Sequence, residues 1–143
     1  MDFRLELVLI PVSDVDRAKR FYTEQAGFGL LVDTPVGDEM RIVQVTPPGS
    51  ACSIGFGAGL GLAAAPGSFR GLHLVVPDII AARAELTGRG VDVTEVRYMD
   101  QGRWVPGPDP QRRDYMQFAD FADPDGNGWV LQEVKRDGAG ARP

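Results

Sequence analysis

The chain has 143 residues, enough for one compact domain or for two half-domains sharing a core. Hydrophobic residues make up 43% and charged residues 24%, the balance of an ordinary globular protein rather than a disordered one. A net charge of −5 without a basic face argues against nucleic acid as a partner, no apolar run nears the roughly 18 residues of a membrane span, and the single Cys52 leaves no intramolecular disulfide. The opening Met1-Asp2-Phe3-Arg4 lacks the layout of a signal peptide, so the expected location is the cytoplasm.

Leu5 to Val12 is apolar and β-prone and reads as a strand. Ser13 and Asp14 then offer helix N-caps, and Val15, Ala18 and Tyr22 recur at helical spacing until Gly27. Phe28–Asp33, Met40–Thr46 and Cys52–Phe56 follow as short strands. The Gly/Ala-rich stretch 57–69 reads as a linker. Gly71–Val76 is the next strand, and Asp78 opens a second helix with Ile79, Ala82 and Leu86 as its buried stripe. Val91–Val96 reads as a strand, residues 97–113 as a long loop, and Tyr115–Ala122 and Gly128–Val134 as a closing hairpin over Asp123-Pro124-Asp125-Gly126-Asn127. The tail, residues 135–143, is small and polar and is expected to fray.

The order strand, capped helix, strand, strand, strand therefore occurs twice, over about 5–56 and about 70–134. Val12-Ser13-Asp14-Val15 matches Val76-Pro77-Asp78-Ile79 before the helices. Pro47-Pro48-Gly49-Ser50-Ala51-Cys52-Ser53-Ile54 matches Pro124-Asp125-Gly126-Asn127-Gly128-Trp129-Val130-Leu131 before the last strands. The fold expected is α+β, a single domain of two tandem β-α-β-β-β modules. Each sheet has a helix on one face, and the two sheets join into a curved mixed sheet bearing a cleft, a natural small-molecule site.

These paired modules, with Val12-Ser13-Asp14-Val15-Asp16-Arg17-Ala18, the Phe21-Tyr22 pair and the Asp123–Asn127 turn, resemble the vicinal oxygen chelate superfamily over about residues 5–134. That group includes glyoxalase I, extradiol dioxygenases, and fosfomycin- and bleomycin-resistance proteins. The resemblance implies the paired-module fold and a homodimer. Its metal-dependent members carry His, Gln or Glu on the first and last strand of each module. The first of these stands seven residues before the Asp that opens the helix, the last three residues after the turn. Carried onto this chain, those places fall on Leu7, Gly71, Ser53 and Val130. Three are hydrocarbon or bare, and Ser53 is a poor ligand, so no metal and no other cofactor is expected.

Period-two alternation puts His73 and Gln132 on the same side as Gly71 and Val130. His73 is the chain's one histidine. Tyr98, Arg103 and Trp104 stand in the 97–113 loop, where they could cover the cleft, stack on a planar ligand and pair with it. The candidate ligand-binding residues are thus His73, Gln132, Tyr98, Arg103, Trp104, Leu7, Ser53 and Val130. Arg112-Arg113 reads as a solvated charge pair, Cys52 as a small core residue, and Asp123 and Asp125 as turn formers.

Two functions fit. One is a metal-free binding protein of the bleomycin-resistance kind, holding a small aromatic or conjugated molecule. The other is an enzyme of lyase, isomerase or dioxygenase type, with His73 as general acid or base or with an unusual metal site.

Overall fold

The computed structural model describes residues 1–135; most of the tail expected to fray lies outside them. Two helices and two mixed sheets, of four and five strands, make an α+β fold. The chain divides into two compact units. Among the described residues, the first comprises 1–69 with 123–127, the second 70–122 with 128–135.

In the first unit the order is β1 (Leu7–Leu9), α1 (Val15–Arg20), β2 (Gly29–Val36), β3 (Met40–Thr46) and β4 (Ser53–Ala58). The sheet order is β1-β4-β3-β2, with β1 parallel to β4 and the other pairs antiparallel. Asp14 starts α1 by accepting from the backbone N–H of Arg17 at 3.0 Å. A π-helical turn, Phe21–Gln25, continues α1. It delivers Phe21 and Tyr22 into a core with Ala18, Phe28, Val43, Val45, Ile54 and Phe56, all buried. Tyr22 has no exposed surface. Its ring stacks on Phe28 at 5.7 Å and meets Phe56 at 5.6 Å.

The Asp123–Asn127 turn belongs to this unit. The Asp123 carboxylate accepts from the backbone N–H groups of Asp125, Gly126 and Asn127 at 2.9–3.0 Å, the turn-forming role expected of it. Asp125 goes further: it takes the Ser13 hydroxyl and the Arg17 guanidinium. Asn127 Nδ2 donates to the Pro11 carbonyl at 2.8 Å. Gly67 passes so close that a Cβ there would stand 2.0 Å from the Asp125 carbonyl oxygen.

In the second unit the order is β5 (Leu72–Val76), α2 (Ile79–Gly88), β6 (Arg97–Asp100), β7 (Arg103–Pro106), β8 (Gln117–Ala122) and β9 (Gly128–Glu133). The sheet order is β5-β9-β8-β6-β7, with β5 parallel to β9. Asp78 caps α2 through the Ala81 N–H at 3.0 Å. The helix packs on β8 and β9. Ile79 and Leu86 are buried with Val91, Val93, Ala119, Phe121, Trp129 and Leu131, while Ala82 is half-buried. Phe121 and Trp129 stack at 6.0 Å.

Two sequence expectations fail here. Val91–Val96 is not a strand, although its valines are buried as a strand's would be. The Arg83 guanidinium takes the carbonyls of Val93 at 3.1 Å and Thr94 at 2.8 Å, so those oxygens serve no ladder. The first part of the expected 97–113 loop is instead the hairpin β6–β7. Gln101 and Gly102 close it with φ of 49° and 76°, the two positive values that a tight two-residue turn needs.

Arg112 and Arg113 are not a solvated charge pair either. Arg112 reaches the buried Glu133 carboxylate at 3.0 Å. That carboxylate also accepts from the Gln117 amide and from the Ile79 N–H at the start of α2. Arg113 pairs with the buried Asp109 at 2.8 Å, and its hydrogen bond draws the Asp109 carboxyl below the usual range.

Candidate functional site

The second sheet has a face turned away from α2, and strand register decides what stands on it. His73 pairs with Val130 and Val75 with Gln132, so all four share that face. On β8 the residues opposite Gln132 and Val130 are Phe118 and Asp120. Arg97 pairs with Phe118 across β6, and Met99 pairs with Trp104 across the hairpin.

The contacts agree with the register. Trp104 meets Phe118 edge-on at 5.2 Å and is 52% exposed. The Arg97 guanidinium lies over the Trp104 ring at 4.7 Å and pairs with Asp120 at 3.0 Å. At the other end of the face, His73 Nδ1 is 3.1 Å from Gln132 Oε1, and Gln132 Nε2 donates to the Tyr115 carbonyl at 3.1 Å. One face thus presents an aromatic pair topped by a cation, the open side chain of Val75 and the half-buried one of Val130, and a hydrogen-bonded imidazole.

Of the residues singled out from sequence, the fold brings His73, Gln132, Val130 and Trp104 onto this face. Tyr98 and Arg103 are on its reverse. Tyr98 pairs with Gln117 and Val105, and Arg103 with Asp100, each one residue out of phase with the site face. They were grouped with Trp104 because all three were placed in a loop, and in a hairpin neighbours alternate. Arg97, Met99, Phe118 and Asp120 share the face with Trp104 and were not singled out, for the same reason. The Gln101-Gly102 pair between alternating side chains was the signal that could have found the hairpin.

Leu7 and Ser53 belong to the first unit, where they pair with each other. The Leu7 and Leu9 side chains lie over Gly55, where an added Cβ would sit 3.1 Å and 3.0 Å from them. Ser53 is buried, and its hydroxyl is 2.7 Å from that of Thr46. Cys52, just before β4, is only half-buried; partial burial and then the charge of Glu6 push its thiol upward, so it is a poor nucleophile.

A family model, the Glyoxalase/Bleomycin resistance protein/Dioxygenase superfamily, matches residues 4–131. The chain belongs to that superfamily. Among solved structures, it is similar to TnmS3, an antibiotic binding protein from Streptomyces sp. CB03234, at 36% identity and a TM-score of 0.71, covering 92% of this chain and 96% of that one. A glyoxalase/bleomycin resistance protein from the same Streptomyces is 37% identical at a TM-score of 0.68, covering 90% and 99%. A member of the superfamily from Sphaerobacter thermophilus DSM 20745 is 30% identical at 0.72, covering 93% and 98%.

Superfamily membership raises the question of a divalent metal, and the donors at the corresponding places do not suit one. Register corrects one of those places. Leu7 pairs with Ser53 as His73 pairs with Val130, so His73, not Gly71, is the counterpart of Leu7. His73 stands five residues before Asp78 where Leu7 stands seven before Asp14, which is why counting back seven residues overshoots the strand. Even so, the set reads Leu7, Ser53, His73 and Val130. Two members are hydrocarbon, and the serine hydroxyl is engaged with Thr46. Among the described residues no three of His, Cys, Asp and Glu cluster in a way that could hold a metal ion.

Proposed function

We propose that this chain is a metal-free small-molecule-binding protein of the bleomycin-resistance kind. It holds a flat, conjugated organic molecule against the face of β5, β9, β8, β6 and β7 that carries His73, Val130, Gln132, Phe118 and Trp104. The observation that carries this reading is Trp104: half of a large aromatic surface is left open, yet the ring is held by Phe118 on its edge and Arg97 on its face. A rigid, exposed aromatic on a face that also carries aliphatic side chains and, at its far end, one imidazole gives burial and stacking, with few groups suited to move protons or electrons. The likeness to TnmS3, described as antibiotic binding, supports the same class of ligand.

We also propose that two copies pair in solution. The edge strand β2 leaves Leu30 and Leu31 open, at 49% and 60% exposure, and edges of this kind are commonly covered. A light-scattering mass of one chain at micromolar concentration would count against pairing.

The binding reading is tested by titrating planar aromatic compounds into labelled protein and following amide shifts. Shifts should concentrate on β5, β9 and the β6–β7 hairpin, and Trp104→Ala should weaken binding by about tenfold or less. Tyr98→Ala, on the reverse face, should leave it unchanged. Turnover of such a compound, lost in His73→Ala, would favour the enzyme reading instead.

A further inference from the structure

We propose that Gln132 fixes the tautomer of His73 and so sets the polarity of the ligand: the face accepts a molecule that donates a hydroxyl hydrogen. This rests on the placement of the ligand proposed above, and it deepens that reading by naming the ligand's polar edge.

The chain of hydrogen bonds has a fixed starting point. The Tyr115 carbonyl can only accept. The Gln132 amide group 3.1 Å from it must therefore be the NH₂, which leaves Oε1 toward His73. Oε1 can only accept as well. The His73 nitrogen 3.1 Å away, Nδ1, must therefore carry the hydrogen. A neutral imidazole has one N–H, so Nε2 holds a bare lone pair.

The starting point is itself held in place. Tyr115 has φ of 68°, a left-handed conformation that a tyrosine adopts only when its surroundings impose it. Its own N–H donates to the Glu133 carbonyl at 2.9 Å, on the strand that carries Gln132. The carbonyl is thus aimed by the same strand whose side chain it orients.

His73 is solvent-exposed, and Gln132 is its hydrogen-bond partner among the described residues. Nε2 is then an acceptor open to the face beside Val130 on β9, with Phe118 on the next strand, β8, as the nearer aromatic surface. A flat molecule resting there satisfies Nε2 with an O–H on its rim, as in a phenol or an enol. An ether or ketone oxygen at the same place would meet lone pair with lone pair. Gln132 acts through His73 and is a positioning residue.

Because the chain has one histidine, a long-range ¹H–¹⁵N correlation spectrum recorded in alkaline buffer shows a single imidazole. In the ligand-free protein Nδ1 should be the protonated nitrogen and Nε2 the bare one, the reverse of the preference of a free histidine side chain. Gln132→Leu should return the ring to the Nε2–H form. An Nε2–H tautomer in the native protein overturns the inference whatever binds, and this measurement needs no variant to fold.

The ligand arm compares 2-naphthol with 2-methoxynaphthalene. The naphthol should bind about fivefold to tenfold tighter, and the ratio should fall to about one in His73→Phe. If both arenes bind the face equally, the inference on polarity fails while the binding reading stands. If neither shifts a resonance on the face, the binding reading fails and takes the ligand class with it.

Discussion

The Tyr22 hydroxyl donates to the Asp123 carboxylate at 2.7 Å, although 101 residues of chain separate them. Both belong to the first unit, and both are buried. The other Asp123 oxygen is saturated by three backbone N–H groups of its own turn, so Tyr22 and the Asn127 amide share the remaining one. The Phe21-Tyr22 pair and the Asp123–Asn127 turn, two of the motifs that marked the family, are thus two halves of one structural contact.

Tyr22→Phe should therefore destabilise by about 1–2 kcal/mol, because a buried carboxylate oxygen loses one of two donors. Asp123→Ala should cost more, about 3 kcal/mol, since it strands three turn N–H groups as well. Urea midpoints read both. Equal costs for the two variants would contradict the shared-donor account.

Gly67 faces that turn with φ of 80°, and a Cβ would stand 2.0 Å from the Asp125 carbonyl oxygen. The obstacle is backbone and cannot rotate away. Gly67→Ala should cost roughly 2–3 kcal/mol, part from the left-handed backbone and part from displacing the turn. Gly37, with φ of 69° and open space around it, isolates the first part: Gly37→Ala should cost clearly less in the same urea series.

Asp33 gives the pH dependence its sign. The hydrogen bond from Arg41 and then that from Lys19, at 3.0 Å and 2.7 Å, hold its carboxyl well below the usual carboxylate range. An unfolded Asp takes its proton near pH ~3.9, the folded one far lower. The unfolded state therefore binds more protons in that interval, and the stabilisation is whole above about pH 4 and lost as pH falls through it. Asp33→Asn should be less stable by about 1 kcal/mol near neutrality, a modest figure because the network is partly solvated. The gap should close toward about pH 2. Denaturation at stepped pH checks this; a gap constant with pH would assign the loss to packing rather than charge.

What could be read from sequence was what is decided locally. Asp14 and Asp78 start their helices because a cap needs only its own first turn, and Met40–Thr46 is a strand because its alternation is its own. Period two sufficed to put His73 and Gln132 on one face. Val91–Val96 was misread because its carbonyls are claimed by Arg83, a contact made only once α2 has packed. The place of His73 opposite Val130 was hidden because it stands five residues before Asp78 where Leu7 stands seven before Asp14, which only pairing between strands reveals. The proposed binding face suffered most. With β6–β7 taken as loop, Arg97 and Phe118 were invisible, and Tyr98 and Arg103 were put with Trp104 when the pleat separates them.

The purified protein should carry far less than one divalent metal per chain. The reasoning is donor chemistry. A site for zinc, iron, nickel or manganese needs three or four imidazole, carboxylate or thiolate groups converging at about 2.0–2.3 Å. In the first unit the paired positions are Leu7 and Ser53; the leucine covers Gly55, and the serine hydroxyl sits 2.7 Å from that of Thr46. In the second they are His73 and Val130, and the His73 nitrogen nearer to its neighbours faces the Gln132 amide oxygen. One free imidazole nitrogen binds such cations too weakly to survive purification. Elemental analysis of protein prepared without chelator checks this, with His73→Ala as the control: any trace metal should be the same in both. About one equivalent in the native protein, absent from the variant, would show a ligand set that includes His73 and draws on further residues, and would move the functional reading toward the superfamily's enzymes.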